Sequence, residues 1–471
     1  MTPNWLGILV FAAWPIVAAY LYSHRTITEA TVWTLLGALL VLPAGASIKF
    51  EMIPAIDKNS VPNICTFAGC MFAASPIKQS RFRFGLCEIL LISLIVSPLV
   101  TSLLNNDPIY IGGSFFPGVG TYDGISAVIS QLILSLSFIV GRRYLQDPKD
   151  NAVILRALTV AGLAYSLPML FEVRMSPQLS SWLYGYLPTT SFVAEMRYGG
   201  FRPVVFMGNG LIVAFFMMTC VVASMAHLRV RKRAVRFAAP SAVTIYLSII
   251  LVFCKTAAAI IYGAVLGMLV RFARPETQIR VALLLGCLAL SYPLLRATDI
   301  IPTKVMVDLA RSIDPDRAQS LELRFDQEAA LLAHASERFY FGWGRYGRNR
   351  IITEESGKDD SVTDGLWIIT MGQFGIIGFL AQFGLLVLPI FRAFPAFKFV
   401  QYPHEKIFLA AIALILAVSA IDQLPNASLS SWTWLLAGSL LGQSEALRAK
   451  SRDNFLKPAR VRNGPSTVII K

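Results

Sequence analysis

Three basic side chains and one carboxylate are the residues of this sequence whose positions suggest chemistry. Arg202 and Lys255 border long apolar stretches, whereas Arg324 and Asp364 lie in the one long polar segment. Ionisable residues at apolar borders are costly to hold and commonly belong to functional sites. An arginine binds anions through two parallel hydrogen bonds, and a carboxylate can accept a proton. We therefore predict a site for an anionic substrate, with these four residues as catalytic candidates.

The first cation lies in the sequence EMRYGGFRP, which covers residues 195–203. Arg197 and Arg202 flank a pair of glycines, and glycine lets a backbone approach a ligand closely. Arg197 and Glu172 are predicted to contact substrate, and Glu172 is also a reserve candidate for the catalytic base. The structural alternative is that Arg202 forms an ion pair with Glu195 or Glu172.

Lys255 separates two apolar runs that together extend over about 28 residues without another charge. A straight helix of that length is too long for one membrane span, so we predict two short helices that turn at Lys255. The lysine would then face an external vestibule as a functional cation. The alternative is that its long side chain only reaches from the turn into water.

The polar segment 296–364 carries 23 of the 70 formally charged side chains. Apolar residues recur every three to four positions from Leu321 to Phe339, which predicts a helix with one face on the membrane part. Two structural alternatives stay open here. Arg324 could form an exposed pair with Glu328 one turn later, and Asp364 could be only the cap of the next helix.

A glycine-aromatic turn, FGWGRYGRN at residues 341–349, follows this helix. Arg338 and Trp343 lie at this turn and complete the predicted substrate-binding set. His334 is a second reserve candidate for the base.

The composition is typical of a polytopic membrane protein, since 55% of the 471 residues are hydrophobic and 15% are charged. We predict an all-α protein of about twelve transmembrane helices. The twelve apolar runs are Trp5 to Tyr22, Thr31 to Ile48, Leu86 to Leu104, Ile125 to Val140, Ala157 to Phe171, Pro203 to Met225, Val243 to Cys254, Thr256 to Val270, Val281 to Leu295, Gly365 to Phe391, Ile407 to Ile421 and Leu429 to Leu441.

The net charge of +14 follows membrane topology and does not indicate a nucleic-acid partner. With alternate loops assigned to opposite sides, one side collects 27 of the 42 Lys and Arg residues. Basic loops stay in the cytoplasm, so this prediction places both termini inside and the large loop outside. We also predict that residues 49–83 form a cytoplasmic loop and that the apolar part of this loop, Val61 to Ala74, lies along the membrane interface.

These features divide the chain into four predicted regions. Residues 1–295 contain spans one to nine, residues 296–364 form the large external loop, residues 365–442 contain spans ten to twelve, and residues 443–471 form a basic cytoplasmic tail. With four scattered histidines and no HExxH or CxxC motif, the sequence predicts neither a metal nor a cofactor.

The order of these features resembles the superfamily of O-antigen ligases and O-antigen polymerases. The first feature is an arginine before a span (EMRYGGFRP), and the second is a cation between two short spans (CKTAAA). The third is a loop helix with an arginine (ELRFDQEAALLAHASERFYFGWG), and the fourth is a polar residue before a glycine-containing span (TDGLWIITMGQFGIIG). The resemblance covers the whole twelve-span layout and is closest from Arg197 to Gly378.

The resemblance implies a GT-C-type fold and, as donor, an oligosaccharide on undecaprenyl diphosphate. It makes Arg202, or else Arg197, the external arginine, and Arg324 the arginine of the loop helix. Lys255 stands where the family usually has an arginine, and Asp364 where ligases tend to have a histidine.

These departures favour a polysaccharide polymerase on the periplasmic face of the bacterial inner membrane. A ligase that transfers glycan to lipid A core is the alternative with the same chemistry. A transporter or flippase of the lipid-linked sugar is the alternative from another class. Expected partners are the lipid-linked donor, the bilayer, a flippase and a chain-length regulator.

Overall fold

The protein, described here from a computed structural model, is a bundle of apolar helices with a few short strands at its ends. The structure describes residues 3–50, 53–73, 84–111, 114–187, 192–197, 199–313, 315–353, 359, 361 and 363–456. In that part of the chain, eight helices are long and apolar enough to cross a membrane, and four more are apolar but shorter. The prediction of an all-α, membrane-embedded protein is therefore confirmed at this level.

Sixteen helices and three two-stranded hairpins make up the described fold. The helices are α1 (Trp5–His24), α2 (Ile27–Val41), α3 (Ser60–Ala73), α4 (Leu86–Leu104), α5 (Thr121–Tyr144), α6 (Asp150–Met175), α7 (Leu179–Tyr184), α8 (Gly210–Val230), α9 (Pro240–Phe253), α10 (Ala257–Phe272), α11 (Pro275–Ala297), α12 (Thr303–Ile313), α13 (Pro315–Glu337), α14 (Leu366–Ala396), α15 (Pro403–Asp422) and α16 (Ser431–Leu456). The antiparallel strand pairs are β1 (Ser47–Phe50) with β2 (Ile53–Asp57), β3 (Ile109–Ile111) with β4 (Ser114–Phe116) and β5 (Met196–Arg197) with β6 (Gly200–Phe201).

The core lies along α15, which is apolar around its whole circumference. Every residue from Phe408 to Ala420 is buried, because α15 contacts α8, α11, α14 and α16 on different sides. A helix without a polar face has this position in a bundle. Other helices keep apolar side chains on the outer surface, such as Ile245 on α9 and Leu284 on α11, where lipid is the suitable surrounding.

Each of the twelve predicted apolar runs overlaps a helix, although Thr31 to Ile48 extends past α2 and Pro203 to Met225 begins before α8. The prediction that the apolar part of residues 49–83 lies along the membrane interface is wrong. This stretch contains α3, which packs against α1, α2 and α5 and does not lie outside the bundle. The hydroxyl of Tyr22, near the end of α1, lies 3.3 Å from the Thr66 carbonyl and 3.4 Å from the Cys70 sulfur. Pro62 stands in the first turn of α3, where its missing N–H has no intrahelical partner to lose.

With α3 included, the residues that precede it in the chain lie at the end of the bundle opposite to the predicted one. The side-chain amide of Asn4 donates to the Leu183 carbonyl, and its backbone N–H donates to the Tyr184 carbonyl. The start of α1 therefore lies at the same end of the bundle as residues 171–206. Arg142 pairs with Glu445 of α16 at 2.8 Å, at the opposite end. The prediction that placed the start of the chain opposite to residues 171–206 is therefore wrong, because it did not count α3 as an element that runs from one end of the bundle towards the other.

Candidate functional site

The β5–β6 hairpin places Arg197 and Arg202 on one short turn at the end of the bundle. Arg202 is buried, and its Nε lies 3.0 Å from Oε2 of Glu195, so the ion pair named as the structural alternative is present. Burial lowers the pKa of Arg202, and the charge of Glu195 opposes that shift. Arg197 is exposed, and its guanidinium donates to the Met196 carbonyl.

Lys255 reaches the same hairpin from the turn between α9 and α10. Its ammonium fills the space beside Gly200, since a Cβ atom at Gly200 would lie 2.2 Å from the lysine Nζ. The Lys255 backbone has a φ of 51°, a left-handed conformation that is uncommon for residues with side chains. In the part of the chain that the structure describes, its ammonium has no hydrogen-bond or ion-pair partner. Lys255 therefore contacts the hairpin that carries Arg197, next to the pair of Arg202 and Glu195.

Glu172 holds the backbone that follows the β5–β6 hairpin, and its side chain does not face solvent. Its side chain is completely buried, and its two oxygens accept hydrogen bonds from the backbone N–H groups of Leu179, Val204 and Val205. Val205 has a φ of 49°, which is strained for a β-branched residue. Because Glu172 holds this turn together and has no exposed surface, the predicted roles in substrate binding and as a base are not kept.

Arg324 and Asp364 meet at the border between α13 and α14. The Nη2 of Arg324 lies 3.1 Å from Oδ2 of Asp364, and the two side chains are 46% and 43% exposed. Both structural alternatives for these residues are wrong. The carboxylate of Glu328 contacts Arg296, and Gly365, with no side-chain cap, precedes α14 where Asp364 was expected to cap it.

Glu328 anchors the helix that carries Arg324. Its carboxylate accepts hydrogen bonds from the Tyr292 hydroxyl at 3.1 Å and the Trp367 indole at 3.3 Å, and lies 3.7 Å from Nε of Arg296. Burial raises the pKa of Glu328, while its hydrogen bonds oppose the shift. These contacts join α13 to α11 and α14. The helix that carries Arg324, the partner of Asp364, is therefore held in place.

Arg338 and Trp343 lie together in a second polar network. The Arg338 guanidinium is 4.2 Å from the centre of the Trp343 ring and pairs with Asp107 at 3.0 Å. The indole N–H of Trp343 donates to the His334 carbonyl, and the His334 ring stacks on Trp343 at 4.5 Å. This network ties the connection between α4 and β3, which contains Asp107, to the glycine-aromatic turn. Contact of Arg338 or Trp343 with a substrate stays a prediction.

The glycine-aromatic turn itself docks against a break in α14. At Gly375 the backbone has φ 64° and ψ −165°, a conformation that is essentially restricted to glycine. The freed N–H groups of Ile376 and Ile377 donate to the carbonyls of Phe339 and Tyr340. In return, the N–H groups of Trp343 and Gly344 donate to the carbonyls of Gly372 and Gln373.

Arg345 is a residue of this turn that the sequence analysis did not select. Its guanidinium lies 5.7 Å from the centre of the Phe374 ring, and burial lowers its pKa. It makes no ion pair within the described part of the chain. A neighbouring cavity of about 10 Å³ holds roughly one water molecule and is too small for a sugar. The sequence feature that could have indicated Arg345 is its position next to Gly344, in a turn where backbones approach closely.

The structure thus collects the predicted residues into three groups. Arg197 and Arg202 lie at the β5–β6 hairpin, which Lys255 contacts at Gly200, whereas Arg324 pairs with Asp364 and Arg338 stacks on Trp343. Convergence of the first two groups on one pocket stays a prediction. No protein-family model matches this sequence, and no curated protein is significantly similar to it.

The chemistry available in this arrangement is anion binding next to a proton acceptor. Basic groups outnumber carboxylates around the hairpin, where Arg197 is exposed and Lys255 is partly exposed. Asp364 is an accessible carboxylate already placed against an arginine. Among the described residues, no three His, Cys, Asp or Glu side chains are grouped as metal ligands would be.

Proposed function

We propose that the protein is a membrane glycosyltransferase that polymerises oligosaccharides carried on undecaprenyl diphosphate. The observation that carries this proposal is the position of the Lys255 ammonium against Gly200, a residue of the hairpin that also carries Arg197 and precedes Arg202. A diphosphate is a good leaving group that needs positive charge and no general acid. Fixed cations in a site of restricted solvent provide that stabilisation. The resemblance to O-antigen polymerases also rests on Arg197, Arg202 and Lys255.

In the proposed reaction, the oxygen of an acceptor hydroxyl attacks the anomeric carbon of the donor sugar. The bond from that carbon to the diphosphate oxygen breaks, and the lipid diphosphate leaves with the electron pair. The hydroxyl proton passes to the carboxylate of Asp364. Arg202 and Lys255 stabilise the leaving diphosphate, and Arg324 orients it through its planar guanidinium.

The contact between Arg324 and Asp364 suggests how the base becomes available. A diphosphate carries more negative charge than a carboxylate, so it competes with Asp364 for the guanidinium of Arg324. Displacement would free the carboxylate to accept the proton only when donor is bound. The half exposure of both side chains leaves room for this exchange.

The proposed orientation follows the positive-inside rule. With α3 counted as a crossing and alternate connections assigned to opposite sides, the side assigned to Arg142 collects 26 of the 42 Lys and Arg residues of the sequence and 8 of the 28 Asp and Glu residues. That end is proposed to face the cytoplasm of a bacterial inner membrane. The candidate site, residues 298–365 and the start of the chain would then face the periplasm.

Complementation of a strain that lacks the native gene tests the proposal, with surface-glycan chain length as the readout and membrane protein level as the control for folding. Arg324→Lys keeps the charge but loses the planar fork, so long polymer should be lost. Asp364→Asn should lower the rate by roughly 10²- to 10⁴-fold, as loss of a general base does. Lys255→Arg should be tolerated, because the charge stays.

Gly200→Ala offers a test of geometry without removal of charge. The new methyl group must displace the Lys255 ammonium, a flexible group, so folding should be unaffected while polymer shortens. Lys232→Met, which removes an exposed lysine just beyond the end of α8, is the matched control and should give full-length glycan. Full-length glycan from Arg324→Lys, Asp364→Asn and Gly200→Ala together would reject the proposal. Loss of attachment to lipid A core with normal chain length would identify a ligase instead.

A further inference from the structure

Helix α12 has an exposed apolar face that no part of the described chain covers. Val305 and Leu309 are each about two-thirds exposed, and Met306 is about half exposed. Lys304, Asp308 and Arg311 lie on the opposite side of the helix, as the 3.6-residue period requires. A short helix with separate apolar and charged faces is typical of a segment that lies in a membrane interface.

The apolar face continues the outer surface of a membrane span. Leu284, Leu288 and Leu294 are exposed on α11, and Ile300, in the connection to α12, is 65% exposed. The connection is a tight turn, because Thr298 and Ile300 donate backbone hydrogen bonds to Leu294 and Leu295 of α11. Helix α12 therefore starts directly where α11 leaves the membrane.

The side of α12 that carries Val307 is occupied by a protein contact. The helix packs against α13 and buries Val307, and Arg311 pairs with Glu322 of α13 at 3.2 Å. Lys304 is exposed on the charged side, without a hydrogen-bond or ion-pair partner in the described residues. Its long side chain can reach from there to the phosphate groups of lipids beside the helix.

We infer that α12 is seated on the outer surface of the bilayer, with Val305, Met306 and Leu309 among the acyl chains of the adjoining leaflet. The partner is phospholipid, and Lys304 contacts its phosphate groups. This contact fixes the height of the α12–α13 pair above the membrane. It thereby holds Arg324 at the level of lipid headgroups, whatever reaction the protein catalyses.

Site-specific photocrosslinking tests the inference on the full-length protein. The crosslinking residue p-benzoylphenylalanine is placed singly at Leu309, Val305 or Asp308, and the protein is reconstituted in nanodiscs of phosphatidylethanolamine and phosphatidylglycerol. Asp308 is the matched control, because it is exposed on the charged side of the same helix. After illumination, mass spectrometry counts the molecules that carry a phospholipid adduct.

Adducts at Leu309 and Val305 should exceed those at Asp308 several-fold. The two apolar positions serve as independent measurements, since both substitutions exchange an exposed apolar side chain for another. Equal adducts at all three positions would overturn the inference, as would the absence of lipid adducts at Leu309 and Val305. Crosslinks from these two positions to a second protein chain would overturn it as well, because the face would then bind protein. None of these outcomes depends on the proposed transferase activity.

Discussion

Arg202 has two roles in the proposed site, and a single substitution cannot separate them. Its guanidinium pairs with Glu195 in a buried position, so it supports the hairpin structurally. It is also one of the cations proposed to stabilise the leaving diphosphate. Removal of either partner of a buried ion pair leaves a charge that is poorly compensated, which typically lowers stability by about 3–5 kcal/mol.

A pair of variants resolves the two roles of Arg202. Glu195→Met alone should lower the free energy of unfolding by about 4 kcal/mol, because Arg202 stays buried without that carboxylate. Glu195→Met with Arg202→Met should recover most of this loss, since apolar replacement of a buried pair is often neutral. Thermal unfolding in detergent measures both variants. If Arg202 binds donor, the stable double variant makes no long polymer, whereas normal polymer would show that Arg202 is only structural.

Asp107 provides a prediction about pH. Hydrogen bonds from Arg338 hold the pKa of the Asp107 carboxyl below its ordinary value of 3.8. A carboxyl group with a depressed pKa stabilises the fold above that ordinary value, and this contribution is lost as the pH falls through the lowered pKa. Asp107→Asn should therefore reduce stability by roughly 1 kcal/mol at neutral pH.

The difference between wild-type protein and Asp107→Asn should shrink as the pH falls below 3.8. Thermal unfolding curves of both proteins over a series of pH values measure it. A difference that stays constant down to the acid end of the series would contradict the assigned role of the Asp107–Arg338 contact.

At the scale of elements, the break in α14 positions the glycine-aromatic turn. A Cβ atom at Gly375 would lie 2.4 Å from the backbone of Tyr340, and one at Gly342 would lie 2.6 Å from the backbone of Gln373. These two glycines let the turn and the broken helix exchange backbone hydrogen bonds directly. Arg338, Trp343 and Arg345 keep their positions only while this contact holds.

Gly375→Ala should therefore disrupt the turn much more than an alanine elsewhere in α14. The substitution combines a left-handed backbone with a clash against backbone atoms, and we expect a loss of at least about 3 kcal/mol. Gly384→Ala is the control, because its Cβ would meet only the end of the Leu90 side chain, at 3.1 Å. Thermal unfolding and protease cleavage within residues 338–350 measure the effect. Equal behaviour of the two variants would show that the backbone contact is not needed.

At the scale of the whole molecule, α3 decides on which side the chain begins. An epitope tag at the start of the chain should be on the same side of the membrane as a tag inserted after Ser180, and opposite to a tag after Gln443. Protease protection of tags in sealed inside-out and right-side-out vesicles measures this. A start of the chain on the side of Gln443 would mean that α3 does not cross.

The sequence alone determined the class of the fold and most of its helices. Apolar runs of span length specify membrane helices, because a backbone in lipid must satisfy its own hydrogen bonds. The turn at Lys255 could also be predicted from the sequence, because an apolar run of about 28 residues is too long for one membrane span. By contrast, α3 was missed because its apolar stretch is short and contains Pro62.

Only the tertiary structure decided which partner each charged residue has. Local spacing suggested that Arg324 pairs with Glu328, but Glu328 turns inward to Tyr292 and Trp367, and Arg324 reaches Asp364. Burial of Glu172 and the contact between Lys255 and Gly200 likewise join residues that are far apart in the chain. Such contacts depend on how helices pack, and no local pattern in the sequence encodes them.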